Sequence, residues 1–112
     1  MSAKYDLEER TLNFANRVNK YVNNLLKTIS NIENGKQLVR SAGSVGANYI
    51  EANEALSKKD FVLRIKICRK EAKESRYWLY LIESKNEDDK ISLIKEATEL
   101  TKIFGAIIEK SK

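Results

Sequence analysis

The sequence lacks proline and histidine altogether and holds one cysteine and four glycines among its 112 residues. An average chain of this length carries roughly five or six prolines. Proline breaks helix interiors and is common in turns and edge strands, so its absence points to long uninterrupted helices joined by short loops. Histidine is the usual general base near neutral pH and the commonest metal ligand. Without it there is no Ser-His-Asp or Cys-His arrangement, no catalytic zinc of the usual type and no Glu-x-x-His di-iron motif. The lone Cys68 excludes an intrachain disulfide framework and a Cys-x-x-Cys site. The longest uncharged run, Ser41 to Ile50, is about half of the roughly 20 residues a membrane span requires. Met1 to Arg10 is charged and lacks an apolar signal region. These absences predict one soluble cytoplasmic domain over residues 1–112, not an enzyme, with no metal, cofactor or membrane partner.

What is present is helical periodicity. A hydrophobic fraction of 42% supports a core despite 33% charged residues. The first segment runs from about Leu7 to Ile29, with a stripe of Phe14, Ala15, Val18, Tyr21, Val22, Leu25, Leu26 and Ile29. Asp6 is its expected N-cap, and Asn31, Asn34 and Gly35 are expected to punctuate a loop. The second runs from about Lys36 to Ala55, with Leu38, Ala42, Val45, Tyr49, Ala52 and Leu56 in strict alternation of four- and three-residue steps. Its centre, Ser41 to Ala47, is unusually small, and two glycines there cost roughly 1 kcal/mol each relative to alanine. Close approach by a neighbouring helix would compensate; a broken helix is the alternative.

The third segment, about Lys58 to Ser84, keeps the same spacing through Phe61, Ile65, Cys68, Ala72, Ser75, Leu79 and Ile82. Ser57 with Asp60 resembles a capping box. The fourth, about Asp88 to Glu109, carries Leu93, Ala97, Leu100, Phe104 and Ile107, with Asn86 as N-cap and Asp89 in the partner position. Heptad-like stripes and short loops predict an all-α, antiparallel up-down-up-down four-helix bundle.

The net charge of +5 is concentrated: residues 57–85 hold nine basic against four acidic residues. Lys59, Lys66, Arg69, Lys73 and Arg76 fall on one helical face. Lys70 flanks them, and Tyr77 and Tyr80 extend the stripe. Cations beside stackable rings are the elements of a phosphate-tracking, base-stacking surface. The alternative is a solvated face balanced by Glu71 and Glu74. Leu63, Ile67, Trp78, Leu81, Ile91 and Ile103 lie off the core stripes and are candidate oligomer contacts; a wider core stripe is the alternative. Arg40, Ser44, Asn48 and Glu51 form a polar stripe beside the small-residue surface, read as a structural polar network. Glu71 or Glu74 is the expected partner of Arg40, and Arg69 or Arg76 of Glu51. Cys68, on the core stripe, reads as a small buried apolar group.

The run Arg40-Ser-Ala-Gly-Ser-Val-Gly-Ala-Asn-Tyr-Ile-Glu-Ala52, with Arg69-Lys-Glu-Ala-Lys-Glu-Ser-Arg-Tyr-Trp-Leu79, resembles the bacterial 23S rRNA intervening-sequence proteins. That resemblance implies a four-helix bundle assembled as a homopentameric ring. It extends to the similar accessory proteins of diversity-generating retroelements, basic pentamers that bind nucleic acid and a reverse transcriptase. By it, Arg69, Lys73 and Arg76 are candidate contacts with RNA or DNA. The expectation is a non-enzymatic, oligomeric nucleic-acid-binding protein, an adaptor or chaperone-like factor for RNA. The alternative is a scaffold that docks a partner such as a reverse transcriptase without contacting nucleic acid itself.

Overall fold

The periodic segments form four helices, α1 (Ala3–Asn23), α2 (Ile29–Asn53), α3 (Lys58–Leu81) and α4 (Glu87–Lys110). The computed structural model describes residues 3–112, with side chains from Leu7 onward. Consecutive helices pack antiparallel in an all-α bundle, α2 against α3 most closely and α1 against α4 least. Phe14, Val18, Leu38, Val45, Ile65, Leu79, Leu100 and Phe104 fill the core, and Tyr49 meets Phe104 with ring centroids 6.1 Å apart. None of the helices is long and apolar enough to cross a membrane among the described residues.

The small residues at the centre of α2 belong to a continuous helix that packs closely on both flanks. The Ser41 and Ser75 hydroxyls meet at 2.8 Å across the α2–α3 contact. On the other flank, a Cβ placed on Gly46 would lie 3.0 Å from Thr11 Oγ1. Closest approach therefore occurs where side chains are smallest, which offsets the low helix propensity of glycine. Where α1 faces α4 the contact is bridged by polar groups instead. Arg10 grips Glu96 through two hydrogen bonds of 2.8 Å, and Arg17 Nη2 donates to Ser92 Oγ at 2.6 Å.

Two expected boundaries are corrected. The first helix ends at Asn23, not Ile29, and the second begins at Ile29, so Asn31, Asn34 and Gly35 lie inside α2. The capping group is Thr28, whose side chain accepts from the Asn31 amide at 3.1 Å. Asn31 is buried and ties the α1–α2 loop to the end of α3. Its Nδ2 donates to Leu26 O at 3.0 Å and Glu83 O at 2.9 Å, and its Oδ1 accepts from the Glu83 amide at 3.1 Å. Gly35 is buried against Val22. Leu26 and Ile29 are exposed, and Leu25 alone of that expected extension packs on the core. Likewise α2 stops at Asn53, which leaves Leu56 in the α2–α3 loop and 99% exposed.

The other caps follow the sequence spacing. Ser57 accepts from the Asp60 amide, and Asn86 accepts from the Asp89 amide. Glu87, Asp88 and Asp89 occupy the first turn of α4, where the helix dipole favours negative charge. At the start of the chain, α1 already includes Ala3, so Asp6 sits within the helix rather than before it; its side chain lies outside the described residues.

Candidate nucleic-acid interface

Burial of Ile65, Cys68, Ala72, Ser75 and Leu79 fixes the rotation of α3 and turns its basic positions outward. Lys59, Lys66, Arg69, Lys70 and Lys73 are exposed. Arg76 is half-buried, and its Nη1 donates to Thr98 Oγ1 of α4 at 3.3 Å. Arg69 also borders α4, since a Cβ on Gly105 would lie 4.0 Å from Arg69 Cδ. The row therefore has Arg69 and Arg76 on the α4 flank and its lysines turned to solvent. From Lys66 to Arg76 it covers about 15 Å at the helical rise of 1.5 Å per residue. Tyr77 and Tyr80, 57% and 62% exposed, present their rings near its end.

Acidic compensation of this row fails for a geometric reason. Arg40 of α2 reaches across to α3, where its Nη1 donates to Glu71 Oε2 at 3.1 Å and its Nη2 pairs with Glu74 Oε1. Trp78 Nε1 also donates to Glu74 Oε1, at 3.3 Å. Both carboxylates thus face α2, on the opposite flank of α3 from Arg69 and Arg76. Among the described residues none of Lys59, Lys66, Arg69, Lys70, Lys73 and Arg76 forms an ion pair. Such a face carries a positive field without ion-pair compensation, screened by salt over roughly 8–10 Å.

The other polar positions of α2 continue the α2–α3 contact. Asn48 Nδ2 donates to Ser44 O and Ser44 Oγ, and Asn48 Oδ1 accepts from Arg64 Nη1 at 3.1 Å. Glu51 is exposed and makes no side-chain hydrogen bond among the described residues, so neither Arg69 nor Arg76 reaches it. Cys68 is fully buried, and desolvation pushes its thiol up to about 12. It stays protonated at neutral pH and is a poor nucleophile.

Sequence spacing on single helices missed Lys95 and Lys102 of α4. Both are exposed, three residues before and four after Thr98, so they extend the basic flank beyond Arg76 and Arg69. The signal was available only once α3 and α4 were paired in register. The off-stripe apolar residues divide. Leu63, Leu81 and Ile91 are exposed, Ile67 is half-buried, and Trp78 and Ile103 pack against the core. A second apolar face had gone unread: Ile32, Val39 and Ile50 are exposed along α2, and Leu12 on α1.

Comparison with known proteins adds a lineage. The model of the family described as 23S rRNA-intervening sequence protein matches residues 3–106. A crystal structure of a protein of unknown function from the S23 ribosomal protein family of Bacteroides thetaiotaomicron VPI-5482 is similar, with a TM-score of 0.83 and 31% identity. The match covers 95% of this chain and 97% of that one. No curated protein matches the chain.

Proposed function

This chain belongs to the 23S rRNA-intervening sequence protein family, and from that premise we propose that it is a non-enzymatic, oligomeric RNA- or DNA-binding protein. The observation that carries the reading is the row of cations on α3 whose neighbouring carboxylates are held by Arg40 on the opposite flank. Lys66, Arg69, Lys73 and Arg76 track phosphates, Lys59 and Lys70 widen the field, and Tyr77 and Tyr80 stack on unpaired bases. The role that fits is an adaptor or chaperone-like factor for RNA. A filter-binding assay with structured RNA tests it. Affinity should fall steeply with salt, and replacing Lys66, Arg69, Lys73 and Arg76 with alanine should flatten the log–log salt slope by up to about three units. Salt-independent binding, or unchanged binding by that variant, would overturn the reading.

Self-association belongs to the same proposal. The apolar residues of α3 and those along α2 form two different faces, as a head-to-tail ring requires, since one patch meets another rather than itself. Family resemblance suggests five copies, whose basic flanks would add to a common field. Light scattering coupled to size exclusion should give a closed oligomer at micromolar concentration; a monomer would refute it. The exposed Leu63, Leu81 and Ile91 also favour a second reading, a scaffold that docks a protein such as a reverse transcriptase. In that case, alanine in the basic row leaves partner capture intact, and Leu63→Asp with Leu81→Asp abolishes it.

A further inference from the structure

Two arginines on α1 and α2 draw carboxylates away from the seam between α3 and α4. Arg40 holds Glu71 and Glu74 on the α2 flank of α3. Arg10 holds Glu96 on the α1 flank of α4 through two hydrogen bonds of 2.8 Å, and Glu99, one turn further on, adds its charge at the same guanidinium. We propose that the α3–α4 seam is a track for one unpaired RNA or DNA strand, with the α3 row as one wall, Lys95 and Lys102 of α4 as the other, and Tyr80 as the stacking platform at its end. This rests on the nucleic-acid-binding reading and adds to it the strand form that binds and the second helix that holds it.

The floor of the track is set by two contacts between the helices. Arg76 Nη1 donates to Thr98 Oγ1 at 3.3 Å, and a Cβ on Gly105 would lie 4.0 Å from Arg69 Cδ. Both contacts lie one heptad apart on each antiparallel helix, so they share a register that puts Lys102 level with Lys73 and Lys95 level with Tyr80. Lys66, Lys73 and Tyr80 follow at heptad spacing along one side, and Lys95 and Lys102 along the other. All five are exposed, and among the described residues none of these lysines forms an ion pair. Glu109 shares the α4 side, but it lies beyond Arg69 and pairs with Lys112 at 2.9 Å. Packed helix axes lie ~8–10 Å apart, so long cations from both walls can reach a single backbone between them. From Lys66 to Tyr80 the track runs about 21 Å at the helical rise. The Tyr80 ring, 62% exposed, serves an unpaired base; bases in the interior of a duplex have both faces covered by their neighbours.

Fluorescence anisotropy with a labelled RNA strand of about fifteen nucleotides, within the ~4–16 of single-strand sites, tests the proposal. The strand has mixed sequence without self-complementarity, and the same strand annealed to its complement is the second probe. The full chain should bind the strand at least about fivefold more tightly than the duplex; Tyr80→Ala should remove that advantage and Tyr80→Phe should keep it. Lys95→Ala with Lys102→Ala should flatten the log–log salt slope for the strand by about 1.4 units, and Lys95→Arg with Lys102→Arg should restore it. Lys20→Ala with Lys27→Ala removes the same charge from exposed positions off the seam and should leave the slope unchanged. Absence of salt-dependent binding to either probe would overturn nucleic-acid binding itself, and the track with it. If both probes bind, a duplex held as tightly as the strand overturns the track alone, and so does a Tyr80→Ala or Lys95→Ala/Lys102→Ala variant that binds as wild type does.

Discussion

Two glycines three residues apart in α2 should respond to alanine with opposite signs. Gly43 is exposed, and a Cβ built on it meets nothing within 4 Å. Its φ lies outside the left-handed region, as for every glycine in the described chain. Gly43→Ala should therefore gain the full propensity difference, about 1 kcal/mol. Gly46 faces α1, where a Cβ would lie 3.0 Å from Thr11 Oγ1 and 3.3 Å from Thr11 Cβ. Thr11 is 1% exposed, and its hydroxyl donates to Leu7 O at 2.7 Å. It can yield only by giving up that bond or by moving α1, and overpacking of this kind costs roughly 1–3 kcal/mol. Against a propensity gain of about 1 kcal/mol, Gly46→Ala should show a net loss of up to about 2 kcal/mol. At ~2.1 cal/mol/K per residue the unfolding entropy is about 0.24 kcal/mol/K, so each kcal/mol moves Tm by about 4 °C. Thermal unfolding followed by circular dichroism at several protein concentrations should show Gly43→Ala up by about 4 °C and Gly46→Ala down by up to about 8 °C. Thr11→Ala should also cost less in the Gly46→Ala background than in wild type. Equal stabilisation by both alanines would refute the claim that α1 backs onto α2 at Gly46.

Asn31→Ala should cost about 2–3 kcal/mol in chemical denaturation, because three hydrogen bonds from Asn31 of α2 to Leu26 and Glu83 go at once; a loss under 0.5 kcal/mol would count against their burial. Arg40→Ala should destabilise by about 1–3 kcal/mol, as it leaves buried Glu71 without its cation, and should also weaken RNA binding by freeing two carboxylates beside the basic row. Equal RNA affinity with and without Arg40 would show that the carboxylates do not reach that field. The Cys68 thiol should resist a disulfide reagent until the protein unfolds. Its ionisation begins near pH 9 in the unfolded chain but only near 12 when folded, so the folded state holds the extra proton between those values. Stability should therefore fall as pH rises from about 9, by up to ~1.4 kcal/mol per unit, and Cys68→Ala should flatten the slope.

Strict four- and three-step spacing made the core of α2, α3 and α4 legible, because each helix buries one stripe and side-chain direction follows 3.6 residues per turn. The α1–α2 junction was not legible for the opposite reason. Asn31 and Gly35 are residue types that usually mark a loop, and only tertiary partners turn them into helix. Asn31 is stabilised inside α2 by Glu83, some 50 positions away in sequence and adjacent in the fold. Gly35 is needed where Val22 would meet a larger side chain. The Thr28 cap was present in the sequence, but a stripe running through Leu25, Leu26 and Ile29 masked it.

The basic row was visible from spacing alone, yet its electrostatic character was not. Glu74 lies four residues after Lys70, the one spacing here that sets a carboxylate beside a cation of the row on the same helix, and counting charges along α3 would pair the two. What decides otherwise is a residue on another helix. Arg40 binds both carboxylates on the α2 flank, and burial of Glu71 makes that arrangement hard to exchange. An exposed intrahelical pair is worth only a few tenths of a kcal/mol, whereas a buried carboxylate bound to guanidinium is worth several times more. The stronger contact therefore holds both carboxylates on the α2 flank, while on the α4 flank Arg69 is exposed and Arg76 donates to Thr98. In this way, the polar stripe beside the small-residue surface of α2 acts on the α3 surface without touching any ligand. A network that looks purely structural thereby keeps two carboxylates on the α2 flank, away from the row to which the proposed function assigns phosphate contacts.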